Sequence, residues 1–445
     1  MKKNYYKKFL PTRRVKVTNF KGVSLDGYSK SLPIDYSLKQ ENLKLLNGAL
    51  VSSLSPKSVD LVFDEKIDKI IPYNENGLKL LVVLESKNYI LKMQDGSMIK
   101  SQIPKTCDIH SAAVYRYGED NFVILATSNG LKKLQNEIIE DCEITTNFAT
   151  LCNHFYRIFG AEEQSTKLLF SDDFAPFNWV QGIDEGGYIN LSFENGNIND
   201  LISFNQNLIV CQEDGFTKIT AYSEQDEFVV KTITSPNNIK KGSVANCGDI
   251  IMYATNKGLG VFDGYNCVTV CEELAGFLED REVAAVATGN YCYFLCKAQN
   301  SSIEDNFIIA YNLVFKNYHF ITCDKAYFLC KVKFENAEKV LLCYENEIKV
   351  LSDESNNSSK IWASGKVDFG SPAEYKLLKR IVFGGDSIID LKINADGKNY
   401  FYNISGQRST LINLKGKEFE IEIVPKGINI NVPSPVIEYS VLEEN

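Results

Sequence analysis

Apolar and polar residues alternate through the interior of the chain in short paired runs, and a polar turn joins the two runs of each pair. The unit recurs about every 42 residues. Its middle is easily read at 80–96, 122–134, 207–219, 249–264 and 339–351. Alternation on both sides of Asn-Gly, Asp-Gly or a similar pair predicts two antiparallel strands and a tight turn. Each unit is therefore predicted to be a β-hairpin.

Two more segments, 167–179 and 291–320, fall at the same spacing with more elaborate turns. One hairpin cannot bury its own apolar face, so consecutive hairpins must pack side by side, most simply as radial sheets around an axis. The pattern predicts an all-β chain with a β-propeller of six or seven blades, and it favours seven. A short helical turn is expected at 272–279.

The ends of the chain do not share this period. Residues 1–55 are rich in turn formers and are predicted to be an extended N-terminal strap. The propeller is expected over 56–362, where the polar run DESNNSSK at 353–360 precedes the boundary. Short alternating strands at a closer spacing then predict a C-terminal β-sandwich or jelly roll over 363–445.

The overall charge is negative, whereas the N-terminus is basic. A formal charge of −9 and a pI near 5.2 argue against a general nucleic-acid binder. Either a solvated arm or an arm that binds DNA or another acidic partner is consistent with the basic residues at the start of the chain. These candidate contact residues are Lys2, Lys3, Lys7, Lys8, Arg13, Arg14 and Lys16.

The chain carries few groups suited to catalysis. Its three histidines, His110, His154 and His319, are far apart in sequence and are expected to be core or surface residues. Twelve cysteines lie mostly in apolar runs without the spacing of zinc ligands, which predicts reduced thiols and a reducing cytoplasm. Motifs for nucleophilic, nucleotide or zinc chemistry are missing. We therefore expect no enzyme activity, no cofactor and no metal, and the lack of a long apolar run predicts no membrane partner.

One segment resembles a known turn. FSDDFAPFNW at 170–179 partly matches the Asp box of sialidase-type propellers, with Ser171 and Asp173 in place but Ala175 where a glycine is expected. A glycosidase would need two facing carboxylates. The dense acidic candidates are Asp172, Asp173, Asp184 and Glu185, which are expected to decorate an exposed turn.

Four segments together resemble a phage family. They are NFKGV with LPIDYSLKQENLKLLNGAL near the start, FSDDFAPFNW in the middle, Lys-Gly-Ser at 241–243, and IWASGKVDFGSPAEYKLLKRI near the end. In outline the chain is similar to virion β-propeller proteins, including the packaged-DNA stabilisation (tail hub) and tail nozzle proteins.

The resemblance implies a structural role in the neck or tail of a phage or phage-derived particle. Several copies would form a ring that continues the DNA channel and helps to retain or release packaged DNA. The implied partners are further copies of the chain, other neck, connector or tail proteins, and DNA in the channel, after synthesis in the host cytoplasm. The alternative is a tail propeller that binds a receptor or glycan without catalysis.

Overall fold

The structure is a computed structural model. It describes residues 11–17, 23, 34, 36–94, 97–104, 107–118, 120–182, 185–221, 225–299, 306–334, 337–353, 358–384, 388–406, 408–427 and 430–442. The described residues of 56–308 and 323–351 form one compact unit, here the repeat unit. Those of 1–55, 309–322 and 352–445 form a second, here the terminal unit.

Nearly all regular structure is β-strand, so the predicted all-β class is confirmed. The first strands are β1 (Arg13–Lys16), β2 (Ser37–Glu41), β3 (Leu43–Leu46), β4 (Ala49–Ser52), β5 (Ser55–Val62), β6 (Ile67–Asn74), β7 (Leu78–Leu84), β8 (Lys87–Gln94), β9 (Ser97–Pro104), β10 (Ile109–Tyr117), β11 (Asp120–Thr127), β12 (Gly130–Gln135) and β13 (Ile138–Asp141).

The middle strands are β14 (Phe148–His154), β15 (Arg157–Glu162), β16 (Lys167–Phe170), β17 (Gly187–Asn190), β18 (Ile198–Phe204), β19 (Asn207–Gln212), β20 (Gly215–Thr220), β21 (Val229–Thr234), β22 (Ala245–Asn246), β23 (Ile251–Thr255), β24 (Gly258–Phe262), β25 (Cys267–Val270), β26 (Arg281–Thr288) and β27 (Tyr291–Ala298). Short 3-10 turns lie at Phe193–Asn195, Gln225–Glu227 and Glu272–Leu274, and the last runs into helix α1 (Ala275–Leu278). The predicted helical turn at 272–279 is thereby confirmed.

The remaining strands are β28 (Phe307–Asn312), β29 (Asn317–Thr322), β30 (Phe328–Phe334), β31 (Ala337–Tyr344), β32 (Glu347–Ser352), β33 (Ile361–Ser364), β34 (Tyr375–Val382), β35 (Ile388–Ala395), β36 (Lys398–Ile404), β37 (Ser409–Gly416), β38 (Phe419–Lys426), β39 (Asn431–Pro433) and β40 (Val436–Leu442).

The repeat unit consists of small antiparallel sheets that follow one another along the chain. Five have the order first to fourth strand: β6–β9, β10–β13, β14–β17, β18–β21 and β22–β25. A sixth, β30-β31-β32-β5, takes its outer strand from the beginning of the unit. The five clearly read hairpins each form the two middle strands of one sheet. The segment 167–179 instead contributes only the third strand of its sheet, β16, and the loop after it, and 291–320 covers β27, β28 and most of β29. Consecutive four-stranded sheets of this kind are the building blocks of β-propellers.

The position of each strand in its sheet explains its sequence. The second strands are almost wholly apolar, and β7 (LKLLVVL) and β23 (IMYAT) are buried over most or all of their length. Sheets pack against them from both sides, so neither face can be polar. The fourth strands lie at the periphery, and β21 (VVKTIT) is exposed at five of its six residues.

Adjacent sheets of the repeat unit share apolar clusters. Ile71 and Leu81 pack with Val123 and Leu125, for example, which joins the sheet β6–β9 to the sheet β10–β13. Similar clusters join β10–β13 to the next sheet and continue through β22–β25. Another joins the sheet that contains β5 to β6–β9, so the last sheet packs on the first.

The terminal unit contains two sheets that share one core. The order of the first is β1-β40-β34-β37, and the second includes β29-β2-β33-β38-β35-β36. Side chains from both, among them Leu378, Ile381, Leu391 and Phe419, form a single apolar cluster. The N-terminal residues are strands of these sheets: β1 pairs with β40, and β2 lies between β29 and β33.

Candidate functional site

The predicted basic contact residues divide into two groups. Lys2, Lys3, Lys7 and Lys8 lie outside the described residues. The other three lie on β1, which pairs antiparallel with β40. Arg14 donates from Nε to Glu438 at 2.9 Å, and Arg13 and Lys16 are exposed to solvent. The described part of the segment therefore presents at least two solvent-facing cations at a sheet edge.

The first strands of four consecutive sheets share an irregularity at their beginning. In β6, β10, β14 and β18 the pairing with the next strand skips one residue, which forms a β-bulge. The skipped residues are Asp68, His110, Ala149 and Asn199. A bulge bends a strand and turns a side chain away from the regular pleat, and such bulges are frequent at functional sites.

A cavity of about 480 Å³ in the repeat unit lies beside three of these bulges, those of β6, β10 and β14. Its polar lining comes from the beginnings of β6 and β10, the end of β15 and the segment before β22. The lining residues are Lys69, Ile109, His110, Asn147, Ala149, Glu162, Glu163 and Lys241. Two ammonium groups, two carboxylates and one imidazole therefore surround a space large enough for a small polar ligand.

The charges of this cavity are partly compensated. The ammonium group of Lys69 donates to the carbonyl oxygen of His110, and burial lowers its pKa. Lys241 lies 3.1 Å from Glu163, and both side chains are exposed, so this ion pair contributes little stability. The cavity is suited to hydrogen bonding with a ligand rather than to holding one strong charge.

Polar side chains also join the first strands of neighbouring sheets. Asn153 donates from Nδ2 to the carbonyl oxygen of Val114 at 2.9 Å. Thr150 donates to a carboxylate oxygen of Asp200 at 3.3 Å, and burial raises the pKa of that carboxyl group. These contacts fix the spacing of β10, β14 and β18, of which β10 and β14 contribute to the cavity.

The three histidines have different surroundings. His110 lies on the bulge of β10 and is exposed at the cavity. His154 is buried on β14, where burial lowers its pKa to about 4. His319 is buried in the terminal unit, and its Nε2 lies 2.5 Å from the Oγ of Ser53.

The segment that partly matches an Asp box is a turn built around a buried arginine. Arg157 donates from Nη1 to the carbonyl oxygen of Ser171 at 3.0 Å, and its guanidinium lies 3.8 Å from both Asp172 and Asp173. Trp179 donates from Nε1 to Pro176 at 3.0 Å. The two carboxylates are neighbours in one loop, whereas Asp184 lies outside the described residues.

Sequence patterns gave no indication of an exposed aromatic surface next to this turn. Tyr117, Tyr156 and Phe174 come from three separate segments and contact one another through their rings, and we call these three residues the aromatic platform. Aromatic residues are also common in ordinary strands. Only the local runs YRY at 115–117 and FY at 155–156 could have indicated it.

All twelve cysteines are free thiols in the structure. Among the residues that the structure describes, no group of three or more His, Cys, Asp or Glu side chains is arranged to hold a metal ion. Within that same part of the chain, no helix has the length and apolar character needed to cross a bilayer.

Comparisons with known proteins find similarity in solved structures alone. No family model matches the chain, and no curated protein matches it. It is similar to the extracellular domain of BT4673 from B. thetaiotaomicron, with 9% identity, a TM-score of 0.47, and coverage of 91% of this chain and 63% of that one. It is also similar to the Neurospora crassa Pan2 WD40 domain, with 10% identity, a TM-score of 0.45, and coverage of 70% of this chain and 98% of that one. The chain thus spans less than two thirds of the length of the BT4673 domain.

Proposed function

We propose that this chain is a structural protein that forms an oligomeric ring in the neck or tail of a phage or phage-derived particle. The ring continues the DNA channel and helps to retain or release packaged DNA. The proposal depends on the sequence resemblance to virion β-propeller proteins, together with an exposed sheet edge in the terminal unit that is suited to contacts between copies.

The repeat unit in this proposal is a seven-bladed propeller. Six four-stranded sheets and the hairpin β26–β27 give seven positions. The amide of Ala285 on β26 donates to Gly242 at 3.2 Å, and the amide of Gly289 donates to Glu338 at 3.3 Å. These bonds support a place for the hairpin between the fifth sheet and the last, which is the position that a closed circle of seven requires.

The terminal unit in this proposal is a β-sandwich. The strands β34 and β37 of one sheet and β35 and β38 of the other contribute to one apolar cluster. Two sheets that share a core between their inner faces form a sandwich. Since β1 is the outer strand of its sheet, the basic segment that it carries is suited to contacting a neighbouring subunit.

The edge strand β36 is the observation that carries the proposal. Within the described residues it pairs with β35, and its other side carries no further strand of the sheet. Phe401 at its centre is 75% exposed, beside a groove of about 500 Å³ that Leu391 and Val424 also line. A seven-residue edge strand with an exposed aromatic ring is prone to pair with another chain. A second copy of this protein is the occupant we propose.

Charge fits the proposed channel. A protein with a net charge of −9 disfavours tight binding of DNA along its surface, so DNA could slide through a ring of such subunits. The basic N-terminal segment, which includes the exposed Arg13 and Lys16, is then the local point of contact with DNA or with an acidic neighbour.

Measurement of assembly tests this function. Light scattering after gel filtration, with negative-stain electron microscopy, is expected to give a closed ring for the wild type. Phe401→Asp places a charge on the exposed edge and is expected to give monomers. Phe193 is 85% exposed in the repeat unit, so Phe193→Asp is the matched control and should leave the ring intact. A wild type that stays monomeric at high concentration would overturn the proposal.

A further inference from the structure

The aromatic platform combines three rings that are packed together yet remain open to solvent. The ring centroids of Tyr156 and Phe174 lie 4.3 Å apart in a stacked arrangement, and the ring of Tyr117 lies 4.6 Å from Phe174 and 5.4 Å from Tyr156. Each of the three residues is 43–45% exposed. A cluster that served only the core would bury these rings, so its exposure needs another explanation.

The backbone is strained where it presents these rings. Phe174 has φ of 53°, and Phe155, which precedes Tyr156 and is also exposed, has φ of 50°. The left-handed region costs bulky residues about 1 kcal/mol or more, and Gly or Asn would occupy it more easily. Backbone strain of this kind concentrates at binding sites, where it positions side chains in advance.

The strained conformation is held by a direct contact between the two loops. The amide of Phe174 donates to the carbonyl oxygen of Tyr156 at 3.1 Å. The loop that carries Phe174 is also held in place by the buried Arg157, which donates a hydrogen bond to the carbonyl oxygen of Ser171. The platform is therefore rigid before any ligand arrives, which lowers the entropy cost of binding.

Hydrogen-bonding groups adjoin the rings. Asp173 precedes Phe174, and its side chain is 44% exposed, while Arg157 approaches the carboxylate at 3.8 Å. Tyr117 and Tyr156 carry phenolic hydroxyl groups on exposed residues. Flat apolar faces beside a carboxylate and hydroxyl groups match a sugar ring, which has C–H groups on one face and hydroxyl groups around its edge. The negative charge of the Asp173 carboxylate disfavours an acidic sugar.

The size of the platform favours a saccharide over a protein partner. Aromatic side chains offer about 150–250 Å² each, so three that are less than half exposed present roughly 300 Å². A stable protein interface needs about 800 Å² from each partner. We propose that Tyr117, Tyr156 and Phe174, with Asp173, form a binding site for a neutral pyranose saccharide. This site is separate from the ring contact assigned to Phe401.

The experiment uses the full chain and defined sugars. An array of neutral hexasaccharides of glucose, mannose, galactose and N-acetylglucosamine identifies a binder, and titration calorimetry with that hexasaccharide gives its affinity. Tyr156→Ala and Phe174→Gly are each expected to weaken binding about tenfold, the loss of one aromatic contact. Asp173→Asn, at an exposed position, should weaken it about threefold if one hydrogen bond is impaired. Phe193→Ala is the control and should leave the affinity unchanged.

A purely structural role for the rings predicts other results. The thermal midpoint of Phe174→Gly should change little under our proposal, because relief of backbone strain offsets the lost ring contacts. If the ring served only to stabilise the fold, the thermal midpoint should fall. Absence of wild-type binding to every hexasaccharide on the array would overturn the assignment. Unchanged affinity in both aromatic variants would overturn it as well. A third contradicting result would be that these variants no longer self-associate while no sugar binding is detected.

Discussion

Asn42 and Thr322 are joined by hydrogen bonds in both directions, although they lie 280 residues apart in the chain. The Nδ2 of Asn42 donates to the Oγ1 of Thr322 at 3.0 Å, and its Oδ1 accepts from the amide of Thr322 at 3.0 Å. Nδ2 also donates to the carbonyl oxygen of Ser359 at 2.7 Å. One buried amide thus connects three distant segments of the terminal unit.

Asn42→Ala should destabilise the terminal unit strongly. The change removes these bonds and leaves the amide of Thr322 without its acceptor, while φ of 56° at position 42 becomes strained for alanine. Unsatisfied buried polar groups and this strain together predict a loss of about 3 kcal/mol, measured by chemical denaturation. Asn47 also has positive φ, 51°, but lies in an exposed hairpin turn, so Asn47→Ala should cost about 1 kcal/mol. Equal losses for the two variants would contradict the role of the buried network.

A tight turn that occurs twice in the repeat unit gives a second prediction. In ATSNGL at 126–131 and ATNKGL at 254–259, the threonine donates from Oγ1 to the glycine carbonyl, at 2.7 Å for Gly130 and 2.9 Å for Gly258. A Cβ atom at Gly130 would lie 1.9 Å from the carbonyl oxygen of Ile144, and φ there is +89°. Gly130→Ala should therefore lower the free energy of unfolding by about 3 kcal/mol or more.

Gly77 provides the control for this turn. Its φ is +120°, yet a Cβ atom there would meet nothing within 4 Å. Gly77→Ala therefore tests the backbone strain without the clash and should cost about 1 kcal/mol. Thermal and urea unfolding of Gly130→Ala and Gly77→Ala separate the cost of the steric clash from the cost of the backbone strain. If Gly130→Ala were no worse than Gly77→Ala, the close approach of Ile144 would not be what selects glycine in this turn.

Local patterns were sufficient for the hairpins and for most strands of the tail, because alternation and turn residues act over a few positions. The short alternating strands predicted over 363–445, for example, are present there as the strands β34 to β40. The pairing of strands that are distant in sequence could not be predicted. For example, β5 completes the sheet of β30–β32, and β2 lies between β29 and β33. No local signal determines which distant strands form such pairs.

The candidate sites were less predictable than the fold. The bulges at Asp68, His110, Ala149 and Asn199 share no residue type, because any side chain can be the extra residue in a strand. The positive φ of Phe174 contradicts local preference and arises from contacts with Tyr156 that only the folded chain provides.

The cysteines provide a prediction about reactivity. A hydrogen bond with the Cys292 side chain lowers the pKa of Cys247, whereas burial, followed by that same bond, raises the pKa of Cys292. Cys247 is also partly exposed, and Cys292 is buried. Since the thiolate is the reactive form, iodoacetamide should modify Cys247 long before Cys292 in the native protein, as measured by peptide mass spectrometry over time. Cys247→Ser should remove the early label, and early modification of Cys292 would contradict the assignment.

The buried His154 predicts a loss of stability in acid. Its Nδ1 lies 2.8 Å from the Oγ of Ser203, and no hydrogen-bond partner of its Nε2 exists in the described part of the chain. Burial lowers its pKa to about 4 in the folded protein, against about 6.5 when unfolded. Above about pH 6.5 the His154 imidazole is neutral in both the folded and the unfolded protein, so its full contribution to the free energy of unfolding is present. As the pH falls from about 6.5 to about 4, the unfolded state binds a proton that the folded state does not.

The free energy of unfolding should therefore fall by about 3 kcal/mol across this window because of His154 alone. Carboxyl groups titrate over part of the same range, so the measurement is the difference between wild type and His154→Gln in urea denaturation from pH 7.5 to pH 4. The two curves should converge toward acid, because the variant has no imidazole to protonate on unfolding. Parallel curves for His154→Gln would mean that the buried imidazole does not couple folding to protonation.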